Sequence, residues 1–533
     1  MLSRRSLLLA SSAAAALPGV LAAAPARAAT PPGVIVFSRQ IDDIISLDPH
    51  EAFEYSASEM AANVYQKLVT TPNDNPTEIV GELAEKWEVS NDNKTFTFTL
   101  REGPKFASGQ PVTAEDVAWS LTRAVAMNKS PAFIINQFGF NKDNVAERIK
   151  ATGPRTVVLT LAEATSPSFL LYCLSAAVGS IVEKAVVAGR AQGDDWGNAW
   201  LKQNSAGSGP YALRQFRASE TLMLDANPHS NVQAKTKRVV IRHMPDPSAQ
   251  LLGLRQGDID IARNLGADQI AQIQSDSRFT IQPSRKASLL YLSLNQKNPN
   301  LAKPEVRQAI KWAIDYAAIQ KNIVPTTFAV HQAFLPEGFP GALTDHPFSQ
   351  KVDEAKALLA KAGLADGFEV SFDFFSGAPI SDIAQVVQAN LALIGIRTRM
   401  LPGEMRAVIT KTRSRQHDIA LLRWGSDYFD PHSNAEAFSM NPDNGDDARN
   451  RTLAWRAGWD IPELTRRTAA AVKEVDPQKR AQTYLEIQKE HQQVSPFVIM
   501  LQEIEVAVLR PGVTGFDMGP MNDRNYYHNI TKA

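Results

Sequence analysis

Short β-branched runs alternate with capped, amphipathic helical stretches along this chain from residue 33 onward, and that alternation restricts it to the α/β or α+β class. Val34-Ile35-Val36-Phe37 reads as a buried strand. Met60, Val64 and Leu68 recur at a spacing of four, which predicts a helix over residues 57–68. In Thr95-Phe96-Thr97-Phe98-Thr99-Leu100 strict alternation puts Phe96, Phe98 and Leu100 on one face of a strand. Thr113 followed by Asp116 forms a capping box that starts a helix through Val117, Trp119 and Leu121. Residues 156–161 and 239–241 read as strands, and residues 248–256 as a helix stopped by Gly257. Pro304 suits a first helical position ahead of Val306, Ile310, Ala313 and Ile314. Asp353 is expected to cap a helix through Leu358 and Leu359, with Gly363 at its left-handed end. At 533 residues the chain exceeds what one hydrophobic core serves, so two or three lobes are expected.

The first 28 residues have the pattern of an export signal. Ser3-Arg4-Arg5 precedes an apolar stretch from Leu7 to Ala24, and Ala26-Arg27-Ala28 offers small residues at a cleavage site. Pro18 and Gly19 break the stretch, whereas a membrane anchor wants ~20 unbroken apolar residues. The paired arginines with Leu7 and Leu8 fit a twin-arginine signal and equally a basic general-pathway signal. A lipoprotein would carry cysteine directly after the cleavage site, where Ala29 stands. The expectation is a mature protein free in the periplasm. Cys173 is the sole cysteine, which excludes a disulfide within the chain, and its apolar neighbours mark it as a core residue.

Without the leader the chain holds 53 basic and 56 acidic residues, a balance that offers no field for nucleic acid or anionic lipid. No Walker A loop, dinucleotide fingerprint or nucleophile elbow is present, and the nine histidines form no HExxH or short-spaced pair. Neither a cofactor nor a catalytic or metal-ligating residue is called for. Ser208, within Gly207-Ser208-Gly209-Pro210-Tyr211, reads as a tight-turn residue. The segment that stands out is Trp424-Gly425-Ser426-Asp427-Tyr428-Phe429-Asp430-Pro431-His432. It follows the strand-like run Asp418-Ile419-Ala420-Leu421-Leu422, and so lies at a strand's C-terminal edge, where α/β sheets hold ligands. Its aromatics offer apolar faces and Asp427 a charge for a cation. It also reads as a plain aromatic-rich turn, with Asp430 turning the chain before Pro431.

Taken together, Leu47-Asp48-Pro49, the run from Val64 to Val69, Glu82-Leu83-Ala84-Glu85-Lys86-Trp87-Glu88-Val89-Ser90, Leu100-Arg101-Glu102-Gly103, Gly207-Ser208-Gly209-Pro210-Tyr211, Gly257-Asp258-Ile259-Asp260 and Val306-Arg307-Gln308-Ala309-Ile310 resemble the extracellular solute-binding proteins that serve dipeptide, oligopeptide and nickel ABC importers. The likeness runs along nearly all of the mature chain. It implies a two-lobed α/β periplasmic-binding-protein fold with a hinge and an extra domain inserted in the first lobe. The implied boundaries are 29–68, 205–284 and 500–533 for lobe I, 69–204 for the inserted domain and 285–499 for lobe II. Trp87, Phe96 and Phe98 would then be packing residues of the inserted domain.

The resemblance also implies a function: capture of a peptide or other amine-bearing solute between the lobes and delivery to a membrane permease, by a monomer that is not an enzyme. In dipeptide-type members a W-x-x-D-x-x-D-P loop binds the ligand's amino group through its first aspartate, which here is Asp427. Trp424 and Tyr428 would wall the pocket and Asp430 would shape the loop, while Tyr55 and Ser56 occupy a second ligand-touching loop. The chain departs from the dipeptide pattern in one respect. Residues 373–379 lack the arginine that grips a peptide carboxylate, which leaves Arg423 or Arg406 as substitutes. His432 raises the alternative of a nickel chelate, because nickel-type relatives carry histidine after a similar Asp-Pro. A secreted peptide hydrolase and a folding helper for exported chains are the rivals of other classes.

Overall fold

The structure, a computed structural model, describes residues 30–533. The export signal and Ala29 therefore lie outside the described residues. The backbone is mixed α/β, and its main sheet has eleven strands. From one edge the order is Ile396–Gly403, Phe368–Phe375, Ile419–Gly425, Thr280–Leu294, Phe497–Leu509, Ile261–Ala262, Val34–Arg39, Arg238–His243, Thr221–Ala226 and Tyr211–Arg217. Phe328–Val330 pairs separately with Phe497–Leu509.

Two strands, of 15 and 13 residues, hold this sheet together and also divide it. Residues 280–285 of the first pair with residues 509–504 of the second, and residues 289–293 pair with 502–497. Between these stretches the register shifts, so that Lys286, Ala287 and Ser288 stand against Glu503 alone. A bulge of this kind bends a strand and raises its local twist. On one side of it the pair is flanked by Ile419–Gly425, on the other by Ile261–Ala262.

Each half of the sheet is covered on both faces, and the sequence pattern explains why. Along the first long strand Leu290, Leu292 and Leu294 enter one core with Ile419, Leu421, Val498 and Met500. Leu289 and Tyr291 enter the opposite core with Ala420, Leu422, Phe497 and Ile499. Continuous apolar runs are what a strand buried on both faces requires. In the other half Ile35, Phe37, Ala507 and Leu509 share a core that Val506 and Val508 do not.

A further core belongs to the four-stranded sheet Ala84–Val89, Thr95–Leu100, Thr156–Thr160 and Ile149–Gly153. Phe96, Phe98 and Leu100 are buried in it, and Trp87 packs on its margin. The helix Ala114–Met127 begins with the predicted capping box: Thr113 Oγ1 accepts from the Asp116 N–H at 3.2 Å and the Thr113 N–H donates to Asp116 Oδ2 at 3.0 Å. From that helix, Arg123 reaches Asp48 with two hydrogen bonds of 2.9 and 2.5 Å, which gives the Leu47-Asp48-Pro49 motif a packing role. Cys173 is fully buried in this core.

Local expectations hold where the chain decides locally. Pro247–Gln256 stops at Gly257 (φ 88°), and Pro304–Ala313 starts on its proline. The helix expected over residues 57–68 instead runs Tyr55–Val64. Gly207 and Gly209 are jammed against Val64, where added Cβ atoms would come within 2.0 and 2.6 Å of its carbonyl group, and the Gly209 N–H takes the Val64 carbonyl at 2.9 Å. That close approach bends the chain to extended backbone at Tyr65. Asp353 is not a cap: the helix Val352–Lys361 begins one residue earlier with Lys351 at its N-cap, and Asp353 sits in the first turn facing the helix dipole. Gly363 is left-handed as expected (φ 74°).

Candidate ligand-binding site

The strand Ile419–Gly425 carries Trp424 and Gly425 at its end, and the loop proper begins at Ser426. Its far end is fixed by Asp430, which caps the helix Pro431–Ser439 through the His432 N–H at 2.8 Å. The same carboxylate takes two hydrogen bonds from Arg480, at 2.8 and 2.6 Å, and both partners are buried. The near end is fixed by Asn434, whose Oδ1 accepts from Ser426 Oγ at 2.7 Å and from the Trp424 indole N–H at 3.2 Å. Ser433 Oγ accepts the Asp427 N–H at 2.9 Å. Asn434, Ser433 and Arg480 escaped the sequence reading. The two from the helix sit three and four residues after the capping aspartate, a spacing that marks a helix's first turn returning to the loop before it.

Held in this way, Asp427 is recessed yet still open to solvent, and no donor among the described residues hydrogen-bonds its carboxylate. Burial, together with the nearby charge of Glu436, pushes its pKa up to about 7, against a smaller opposing pull from Arg456. A carboxylate placed where ionisation is unfavourable and left without a partner is ready to receive a cation.

The other predicted residues fall into two groups. Tyr55, at the start of the helix Tyr55–Val64, is 38% exposed, and Arg423 lies over its ring at 5.4 Å. Burial raises the Tyr55 hydroxyl's pKa; Arg423 lowers it, and Glu503 and Asp427 raise it, so these groups share one space. Gly425 admits that hydroxyl, because a Cβ there would lie 2.3 Å from it. Trp424 keeps part of its ring open while its edge packs on Phe438 at 6.1 Å. Tyr428 and Ser56 are differently placed. Tyr428 is buried, packs on Phe169 of the core around the four-stranded sheet at 5.9 Å, and its hydroxyl has no partner among the described residues. Ser56 is also buried, with its hydroxyl donating to the Gln40 carbonyl at 3.4 Å and its N–H to Asp43 at 3.0 Å.

Of the two substitute arginines, Arg423 donates to Ser288 Oγ at 2.9 Å and pairs with Glu503, which places it beside Tyr55 at the bulge. Arg406 is exposed on the helix Met405–Arg413 and forms no ion pair among the described residues. Asp373, on the stretch where a carboxylate-gripping arginine would stand, is itself held by Lys411 at 2.7 and 2.8 Å. His432 is buried, with Nδ1 3.2 Å from the Tyr484 hydroxyl and its ring edge-on to Phe169 at 5.4 Å. Burial lowers its pKa, and its Nδ1 is engaged by the Tyr484 hydroxyl. A separate cavity of about 550 Å³, lined by Gln66, Thr70, Asn73, Arg101, Asn231 and Tyr526, contains none of the five predicted residues.

The profile of the bacterial extracellular solute-binding proteins, family 5, matches residues 78–446. The chain is 28% identical over 510 residues, 95% of each chain, to the probable D,D-dipeptide-binding periplasmic protein of Escherichia coli (strain K12). Two solved structures share its fold. The ABC transporter substrate-binding protein CtaP of Listeria monocytogenes superposes with a TM-score of 0.80 at 19% identity, covering 94% of this chain and 99% of that one. The periplasmic binding protein DppA of Helicobacter pylori, in complex with the peptide STSA, superposes with a TM-score of 0.77 at 24% identity, covering 94% and 98%. Both are two-lobed binding proteins.

Proposed function

Because the chain belongs to the bacterial extracellular solute-binding proteins of family 5, we propose that it captures a small peptide or related solute with a free amino group in the cleft at the Asp427 loop, and hands it to an ABC permease from the periplasm. The observation that carries this reading is the Asp427 carboxylate, recessed, raised in pKa and unpartnered. An ammonium group entering there makes a charge-assisted hydrogen bond worth roughly 1.5–3 kcal/mol. Trp424 and Tyr55 supply the faces that line the solute. Tyr428 and Ser56 hold the two contact loops from behind, since both are buried. The hinge is the bulge at Lys286–Ser288 opposite Glu503, where both long strands pass from one lobe to the other. Lobe I then comprises the half-sheet around Val34–Arg39, lobe II the half-sheet around Ile419–Gly425, and residues 69–204 the inserted domain.

Arg423 is the basic group nearest Tyr55, but its charge is spent on Glu503. The ligand's acidic end is therefore gripped less firmly than its amine, which favours longer peptides and amino-acid conjugates over a strict dipeptide; dipeptides with D-residues stay among the candidates because of the D,D-dipeptide-binding relative. A thermal-shift screen of the mature protein tests this, with L- and D-dipeptides, tri- to pentapeptides and sugar–amino acid conjugates, each beside its N-acetylated form. At a hundred times its dissociation constant a true ligand adds about 2.7 kcal/mol of stability. The reading fails if N-acetylation of the best ligand leaves its effect unchanged, or if the protein hydrolyses the compounds that it binds.

A further inference from the structure

Three further side chains converge beside the bulge. The chain leaves the strand Phe328–Val330 directly into His331, which is fully buried. The His331 Nε2–H donates to the Leu335 carbonyl at 2.7 Å, so the neutral ring carries its lone pair on Nδ1. That atom is buried and has no hydrogen-bond partner. Its closest charged neighbour is Glu337 Oε1, 4.0 Å away, and the same oxygen lies 4.0 Å from Nε2 of His346. One ligand atom from each of the three residues falls within 4.8 Å of the other two.

A lone hydrogen bond of 4.0 Å is no bond, so these contacts neither satisfy His331 Nδ1 nor explain why the three groups point at one another. The spacing does suit an ion between them. Nitrogen and oxygen donors at ~2.0–2.2 Å from a tetrahedral centre stand ~3.3–3.6 Å apart, a closure of less than an ångström for each of the two 4.0 Å contacts of Glu337. A small turn of the Glu337 carboxylate toward His331 and of exposed His346 toward both would supply it. The surroundings already have the form that metal sites take: the buried histidine is oriented through its other nitrogen by a backbone carbonyl. Glu337 is held by Arg285 on its second oxygen, while its backbone N–H donates to Gln502 at 3.0 Å. Two imidazoles and one carboxylate favour zinc and its neighbours over magnesium or calcium.

We propose that His331, Glu337 and His346 form a binding site for a zinc-like divalent cation, three protein ligands with a fourth position open to solvent. None of its three ligands belongs to the Asp427 site. Because Arg285 and Gln502 belong to the two long strands, a bound ion would brace the 331–346 loop against the bulge.

The test uses untagged mature protein stripped with chelator and titrated with zinc in competition with a chromophoric chelator, alongside His346→Ala, Glu337→Gln and a control, His229→Ala, at an exposed histidine elsewhere. One equivalent of zinc should bind the parent and the control alike, and at least tenfold more weakly in His346→Ala and Glu337→Gln. Cobalt should give the parent a four-coordinate d–d spectrum that both variants lose. Exposed His346 makes misfolding an unsuitable explanation for its loss, and unchanged circular dichroism checks this. Equal zinc affinity in the parent and His346→Ala, or no stoichiometric zinc in the parent, overturns the site and leaves the solute-binding reading untouched.

Discussion

Replacing Asp427 with asparagine should separate the stability of the empty protein from its affinity for an amine. With a pKa near 7, Asp427 is about half ionised at pH 7 and about one per cent ionised at pH 5. The ligand's α-amino group, with a pKa of ~7.7–8.0, stays charged throughout that interval. If only the ionised carboxylate receives the ammonium, the dissociation constant of the parent should rise about fifty-fold from pH 7 to pH 5, about 2.3 kcal/mol. Asp427→Asn should bind more weakly by roughly 1.5–3 kcal/mol at pH 7.5, with little pH dependence left. The empty protein should respond with the opposite sign. Its folded-state pKa stands above the unfolded value of 3.8, so the native state holds the proton more tightly and stability declines as pH rises from about 4 to about 7. Asp427→Asn removes that decline, and the unliganded variant should melt above the parent at pH 8. Isothermal titration at pH 5, 6 and 7, paired with calorimetric melting without ligand, measures both. Equal dissociation constants for the parent at pH 5 and pH 7, or a full pH slope persisting in Asp427→Asn, would refute the reasoning.

Three further expectations follow from the same geometry. In Gly425→Ala the new methyl meets the Tyr55 hydroxyl, so ligand affinity should drop by roughly 1–3 kcal/mol, and adding Tyr55→Phe should recover most of it; no recovery in titration would mean that the two residues do not meet. Arg480→Met strands the buried Asp430 carboxylate and should cost roughly 3–5 kcal/mol in urea unfolding, whereas a loss under 1 kcal/mol would show that the pair is solvated. Cys173 is buried, and its thiol pKa is raised well above the ordinary range by burial first and then by Asp430, so a chromogenic thiol reagent should react only after denaturant is added; fast reaction of the native protein contradicts the burial.

What the sequence made legible was local. Thr113 and Asp116 lie three residues apart, Pro304 and Gly257 act on the turn they occupy, and Phe96 and Phe98 follow the pleat. The Asp427 loop stood out because its strand, its aromatics and Asp430-Pro431 are consecutive. The rest depends on residues far apart in the chain. Arg480 lies fifty positions from Asp430, and the glycines that end the helix at Val64 come from residues 207 and 209. Tyr428, expected to wall the pocket, is buried instead, because its partner Phe169 comes from another core far off in the sequence. His331 and His346 lie fifteen residues apart and meet only because the intervening loop doubles back.

The two long strands also govern the order in which this chain can mature. The core around the four-stranded sheet draws, apart from Tyr428, on residues 68–181, and the two cores beside Ile419–Gly425 on residues 289–501, so each is complete within one stretch of polypeptide. The core around Val34–Arg39 extends from Ile35 to Ile530, and Ile261 pairs with Leu509. Asp260 binds Thr30 at 2.7 Å, Arg510 at 2.8 Å and Lys532 at 3.4 Å, tying the first described residue to the last turn of the chain. Contacts this distant in sequence form slowly. A chain emerging from its N-terminus would thus carry two finished bodies while the first strand, Val34–Arg39, already has both sheet neighbours but Ile261–Ala262 beside it still waits for Val508 and Leu509. Until the final thirty residues arrive, Ile261–Ala262 is an open sheet edge, the kind of surface that invites association with other chains.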